Sequence, residues 1–135
     1  MKHAVILLTL SLLMLTACGN NGEYIEIVDA LDVNNTTNTS MNIKTKWEEV
    51  KGRQIRLSGK VVDVKGGRSS AEAYIAIKGK PLYRNYNVIV KTYDLAGAGK
   101  LKRGDTVEFD GQLYSYKQRS GAPLILVLNN GNFAK

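Results

Sequence analysis

Side chains that make and break bonds are scarce in this chain, and the most reactive two sit at its front. Among 135 residues the one histidine is His3 and the one cysteine is Cys18. Cys18 closes a run that starts with the positive Lys2. The run continues as apolar residues from Ala4 to Leu15, relieved only by Thr9 and Ser11, and ends in the small residues Thr16 and Ala17. A cleaved export signal has this order, whereas a membrane span needs a longer stretch of ~20 apolar residues. Cleavage after Ala17 removes residues 1–17, and His3 with them. No Ser-His-Asp or Cys-His arrangement is then available, nor the usual zinc ligand sets. A single cysteine also closes no disulfide within the chain.

The carboxylates offer little more. Glu108 and Asp110 alternate along one expected strand, so they share a face where an acid–base pair or a cation site is conceivable. Acids alternating on the outside of a basic domain read instead as solvated partners of lysines. Gly97-Ala98-Gly99-Lys100 lacks the spacing of a phosphate loop and the Ser or Thr after its lysine. Arg103-Gly104-Asp105 reads as a turn before a strand. The sequence therefore predicts no enzyme, no catalytic residue, no metal and no cofactor.

Binding chemistry is better supplied. Residues 19–43 carry Glu23, Glu26, Asp29 and Asp32 and no Lys or Arg, a net charge of −4. Residues 44–135 carry 18 basic against 8 acidic side chains, a net charge of +10. A basic body suits acidic partners such as lipid headgroups, anionic glycans or nucleic acid. It also serves plain solubility, and an acidic leader folded back on it would lower its field.

The elements that must hold these groups follow from periodicity. Gly19-Asn20-Asn21-Gly22 is a polar spacer, and Tyr24 to Leu31 is a short mixed element, strand or helix. Asn34 to Ser40 is low in complexity and reads as a loop. Residues 18–39 are thus expected to be a flexible acidic leader. Ser40 caps an expected helix running to about Lys51, with Ile43, Trp47 and Val50 on one apolar face and Gly52 at its stop. Trp47 reads as a core anchor.

From Arg53 the period becomes two. Ile55, Leu57, Gly59 and Val61 share a face, then Val62 and Val64 take over, which marks a bend or bulge beside a glycine. A second strand turns Ala73, Ile75 and Ile77 inward, and a third, from Asn87 to about Tyr93, does the same with Val88 and Val90. After a weak helical turn in 94–103, the fourth strand runs from Thr106 to about Tyr116 with Val107, Phe109, Gly111 and Leu113 alternating. The fifth, Pro123 to Leu128, is apolar on both faces and so buried on both sides. Asn129 to Lys135 reads as a polar tail.

Two resemblances stand on these residues. Leu15-Thr16-Ala17-Cys18 resembles the lipobox of bacterial lipoproteins, which implies that Cys18 carries diacylglycerol and palmitate and tethers the chain to a membrane of the cell envelope. An ordinary secretory signal with an incidental cysteine is the alternative. Gly19, where some lipoproteins have Asp, implies sorting to the outer membrane in a host with two membranes. The stretch Trp47-Glu48-Glu49-Val50-Lys51-Gly52-Arg53-Gln54-Ile55-Arg56-Leu57-Ser58-Gly59-Lys60-Val61 resembles the opening of OB-fold proteins. Leu101-Lys102-Arg103-Gly104-Asp105-Thr106-Val107-Glu108-Phe109-Asp110-Gly111 resembles their later Gly-Asp element. Together they are similar to the tRNA-anticodon-like OB domain found in small bacterial lipoproteins. The implied fold is mainly β: a five-stranded OB-fold-like barrel over 40–135, preceded by a short helix.

OB-folds bind ligands across strands two and three and the loops beside them. That resemblance selects Tyr74, Lys78, Lys91 and Tyr93 on the strands and Tyr83, Arg84 and Tyr86 on the adjoining loop. Tyr114, Tyr116, Lys117 and Arg119 join them from the fourth strand and its hairpin. The partner expected first is a protein, peptide or glycan of the envelope, with roles in assembly, stress or exclusion of phage or conjugating cells. The alternative is single-stranded nucleic acid at the cell surface, because tyrosines stack bases and cations pair phosphates. A structural lipoprotein without a soluble ligand is the third reading.

Overall fold

The computed structural model describes residues 21–134; the expected signal and Cys18 lie outside them. Among the described residues, three helices, α1 (Gly22–Leu31), α2 (Ser40–Val50) and the short α3 (Leu95–Gly99), accompany five strands: β1 (Gln54–Gly66), β2 (Ala71–Ala76), β3 (Val88–Thr92), β4 (Thr106–Lys117) and β5 (Ile125–Ala134). The strands close into a barrel in the order β1-β2-β3-β5-β4. This is the OB-fold-like five-stranded barrel that the sequence predicts. Every ladder is antiparallel except β3 with β5, which pair in parallel from Val88↔Leu126 to Val90↔Leu128.

β1 belongs to two neighbours at once. Its first half pairs with β4, from Gln54↔Gln112 to Lys60↔Thr106, and its second half with β2, from Lys60↔Ala76 to Gly66↔Ala71. The bend sits where the alternation breaks. Between Val61 and Asp63 the register shifts, so Val62 is the extra residue of a bulge. Val64 then packs against the core, while Val62 stays half-buried outside it. Gly59 tolerates the crowding: a Cβ there would lie 2.5 Å from Ile75 Cγ2 and 2.9 Å from the Ala76 carbonyl oxygen.

The leader departs from expectation. Tyr24, Ile27, Val28 and Leu31 fall at i, i+3, i+4 and i+7 on one helical stripe, and all four are buried in the same cluster as the barrel strands. Residues 21–39 are therefore a folded part of the domain and not a flexible leader. The opposite face of α1 is acidic and meets the basic body. Glu23 pairs with Arg53 at 3.1 Å, Glu26 with Lys46 at 3.5 Å, and Asp29 with Lys80. The asparagine-rich loop is structural too. Asn38 Nδ2 donates to the carbonyls of Asp29 and Asp32 at the end of α1, and Asn34 clasps Gly121 and Ala122 of the β4–β5 hairpin.

Two smaller differences complete the picture. Thr39, not Ser40, caps α2, accepting from the Asn42 N–H at 3.1 Å. The stretch from Asn129 onward, expected as a tail, continues β5 to Ala134 opposite β4. Its polar sequence hides this because Asn130 takes a positive φ and the buried Gly131 lies against Val90, where a Cβ would come within 2.2 Å.

Tyr24 offers a test of the helix–barrel junction. Its side chain is fully buried and its hydroxyl has no hydrogen-bond partner among the described residues, an arrangement that costs about 1–3 kcal/mol. Burial also pushes the phenol well above its ordinary range. The unfolded chain releases this proton near pH ~10 while the folded chain holds it, so the unfolded state binds fewer protons above that pH and stability falls as pH rises. Denaturant unfolding of Tyr24→Phe is expected to show a gain of ~1 kcal/mol at pH 7 and a shallower loss of stability above pH 10.

Candidate functional site

Inward alternation of Ala71, Ala73 and Ile75 on β2 leaves Glu72 and Tyr74 facing out, and β3 answers with Ile89 and Lys91. Above them the connection from β2 to β3 folds into a tight turn at Tyr83-Arg84-Asn85-Tyr86. Tyr83 and Tyr86 exchange backbone hydrogen bonds of 2.8 and 3.1 Å, with Arg84 at a positive φ of 58°. Asn87 fixes the base of this turn. It is fully buried, accepts from the Ile77 N–H at 2.8 Å and donates to the Ile77 carbonyl at 2.9 Å. A side-chain amide thus completes a rung that the backbone leaves open.

The turn brings three rings into a row. Tyr74 and Tyr86 lie edge to face at 5.0 Å between centroids, and Tyr86 and Tyr83 at 6.0 Å. A cation covers each end: Lys65 Nζ lies 5.0 Å from the Tyr74 ring, and the Arg84 guanidinium 5.6 Å from the Tyr83 ring. The Tyr74 phenol is raised above its ordinary value, first by burial and then by the charge of Glu72. It stays neutral at physiological pH.

Open clefts flank the row. One of about 730 Å³ lies between the bulge of β1 and the turn, lined among others by Lys60, Lys65, Tyr74, Arg84, Tyr86 and Arg103. Asp63 is its one carboxylate, held by Arg103 at 3.4 Å. A smaller cleft of about 210 Å³ lies beyond Tyr86, with Tyr83, Lys117 and Arg119 on its walls and Ile89 and Ile125 among its lining. Tyr86 borders both clefts. A third depression of about 480 Å³ holds Lys78 and Lys80 and shares Lys60 with the first.

The expected residues divide accordingly. Tyr74, Tyr83, Arg84, Tyr86, Lys117 and Arg119 come together around the two clefts. Lys78 stands apart in the third depression. Lys91 and Tyr93 pair with each other, the ammonium 5.7 Å from the ring, and line none of the three. Tyr116 packs edge-on to Trp47 at 5.1 Å, so it supports α2 from the core side. Tyr114 is the extra residue of a β4 bulge and stands 66% exposed away from the clefts. Lys60, Lys65 and Arg103 also line the first cleft; the break in alternation at Val61–Asp63 marks the bulge that Lys60 and Lys65 flank, whereas Arg103 reaches the cleft from the turn before β4 through its hydrogen bond to the Val62 carbonyl.

Glu108 and Asp110 face outward on β4, opposite Ser58 and Arg56 of β1. Among the described residues, no group of three or more His, Cys, Asp and Glu side chains gathers as a metal site would require.

No family model matches the chain. A stretch of 61 residues is 43% identical to aminopeptidase N of Streptomyces lividans; it covers 42% of this chain and spans only 7% of that protein's length. Two solved structures are similar at 17% identity each. One is a provisionally assigned nucleic acid-binding lipoprotein from Klebsiella pneumoniae, with a TM-score of 0.47 over 67% of this chain and 77% of that one. The other is a small single-stranded DNA-binding protein from Streptomyces coelicolor, with a TM-score of 0.44 over 62% of this chain and 95% of that one.

Asn87 should be the weak point of this architecture. Asn87→Ala strands a buried N–H and carbonyl at Ile77, and a loss of ~2 kcal/mol is expected in denaturant unfolding. Amide exchange should quicken through residues 78–87 more than in β4.

Proposed function

We propose that the barrel is a binding module for single-stranded nucleic acid, using the two clefts on either side of Tyr86. The observation that carries this reading is the row Tyr74–Tyr86–Tyr83 with cations at both ends. Bases stack on aromatic faces without regard to sequence, at ~1–3 kcal/mol per base, while a basic groove follows the phosphates. Lys65, Arg84 and Arg103 on one side and Lys117 and Arg119 on the other supply that groove, against the single carboxylate of Asp63. A neutral glycan or an ordinary protein surface would have use for the tyrosines but not for this excess of cations. This favours nucleic acid over a neutral glycan or an ordinary protein surface, the kinds of partner expected first from the sequence.

The module acts by binding alone, with no chemical step. Its tyrosines and cations hold a strand. We place it in the bacterial envelope, tethered through acylated Cys18 as the lipobox resemblance implies. Among the described residues no helix is long and apolar enough to cross a membrane.

The test is fluorescence anisotropy of a labelled single-stranded oligonucleotide titrated with residues 19–135. Binding should weaken steeply between low and physiological salt, as phosphate contacts require. Tyr86→Ala should lower affinity by ~5- to 100-fold, the equivalent of one lost stack, while Tyr114→Ala leaves it unchanged. A flat titration at both salts would overturn the proposal.

A further inference from the structure

The third depression lies where the chain enters the barrel. Asn21 borders it, and the Asn21 side chain is clamped to β1: its Nδ2 donates to the Ser58 carbonyl at 3.1 Å, and its Oδ1 accepts from the Ser58 N–H at 3.1 Å. This two-point clamp fixes the point from which the chain leads back toward Cys18. Only Gly19 and Asn20 lie between Cys18 and Asn21, and the three Cα–Cα steps span at most ~11 Å. A lipid on Cys18 would therefore hold the membrane surface against this side of the barrel, not at the end of a long tether.

That side is built for an anionic surface. Lys60, Lys78 and Lys80 line it, and no carboxylate does. Lys80 is engaged by Asp29, whereas Lys60 and Lys78 are exposed and have no ion-pair partner among the described residues. Beside them Leu82 is 42% exposed, an apolar side chain at the rim of a basic patch. Lysines whose stems lie flat and whose ammonium groups reach headgroup phosphates, next to a leucine that enters the interface, are what interfacial seating requires.

We propose that the Lys60–Lys78–Leu82 face seats the barrel directly on an anionic phospholipid surface, which orients the tyrosine clefts relative to the membrane. The proposal rests on the acylation of Cys18 in the reading above. Seating explains why Lys78 stands apart from the tyrosine row: it serves the membrane and not the strand. Lys117 and Arg119, in the cleft beyond Tyr86, remain open to solvent and to ligand.

Lysine footprinting tests it on the full chain, produced in a bacterium, extracted from membranes with detergent and returned to vesicles. Amine acetylation is read by mass spectrometry in vesicles of phosphatidylglycerol with phosphatidylcholine, and in phosphatidylcholine alone. Lys60 and Lys78 are expected to react at least threefold more slowly on the anionic vesicles, with Lys44 and Lys117 unchanged, and 0.5 M salt should abolish the difference. Lys78→Glu should remove the protection of Lys60 yet leave oligonucleotide affinity within twofold, whereas Tyr86→Ala should do the reverse. An acylated protein, verified by intact mass, that shows equal reactivity on both vesicles would overturn the seating alone. A chain recovered without acyl groups would overturn the tether and the seating together.

Discussion

Everything in this molecule depends on β1 serving two partners. A single strand that pairs with β4 over its first half and β2 over its second must bend without losing its inward face. Gly59 removes the atom that would collide with Ile75, and the extra residue Val62 absorbs the change of register. The same bulge sets Asp63 opposite Tyr74 in the ladder and sends Lys65 over the tyrosine ring. Barrel closure and the electrostatics of the first cleft thus come from one local irregularity. Bulges beside sites often re-aim side chains in this way.

A second constraint is the division of charge. The acids of α1 take up Arg53, Lys46 and Lys80, cations that stand outside the two tyrosine clefts. Those exposed ion pairs add little stability each; the buried stripe of Tyr24, Ile27, Val28 and Leu31 holds the helix. What the pairs do is neutralise cations that line neither tyrosine cleft, while Lys65, Arg84, Lys117 and Arg119 in those clefts have no ion pair among the described residues. The asparagine loop contributes to the same end, because Asn34 and Asp32 fasten the hairpin that carries Lys117 and Arg119.

Much of the barrel was legible in the sequence because alternation of period two is a direct imprint of a sheet with one face buried. Ile55, Leu57 and Val61, Ala73 and Ile75, and Val107, Phe109 and Leu113 all fall on the inner face as their spacing predicts. α1 was harder to read. Its stripe is complete but only one repeat long, and acids and asparagines around it resemble a linker. β5 hid its second half behind Asn129-Asn130-Gly131-Asn132, which only the close approach of Val90 explains. Of the candidate site, the tyrosines on the turn and the hairpin cations were visible as residue types. Spacing does not reveal that Tyr116 turns to Trp47, or that a bulge throws Tyr114 outward, because both depend on β4–β5 register. Nor does it show that Asn87 ties the turn to Ile77, a contact between side chain and backbone ten residues apart.

In the nucleic-acid reading proposed above, the row Tyr74–Tyr86–Tyr83 and its flanking cations form one ligand surface. The most direct measurement is an NMR titration of isotope-labelled residues 19–135 with a short single-stranded oligonucleotide, followed amide by amide. Shifts confined to β2 around Tyr74, to residues 83–86 and to residues 117–119, saturating together, are the result this structure predicts. Shifts centred on Tyr114 and the outer face of β4, or none at saturating oligonucleotide, would contradict it.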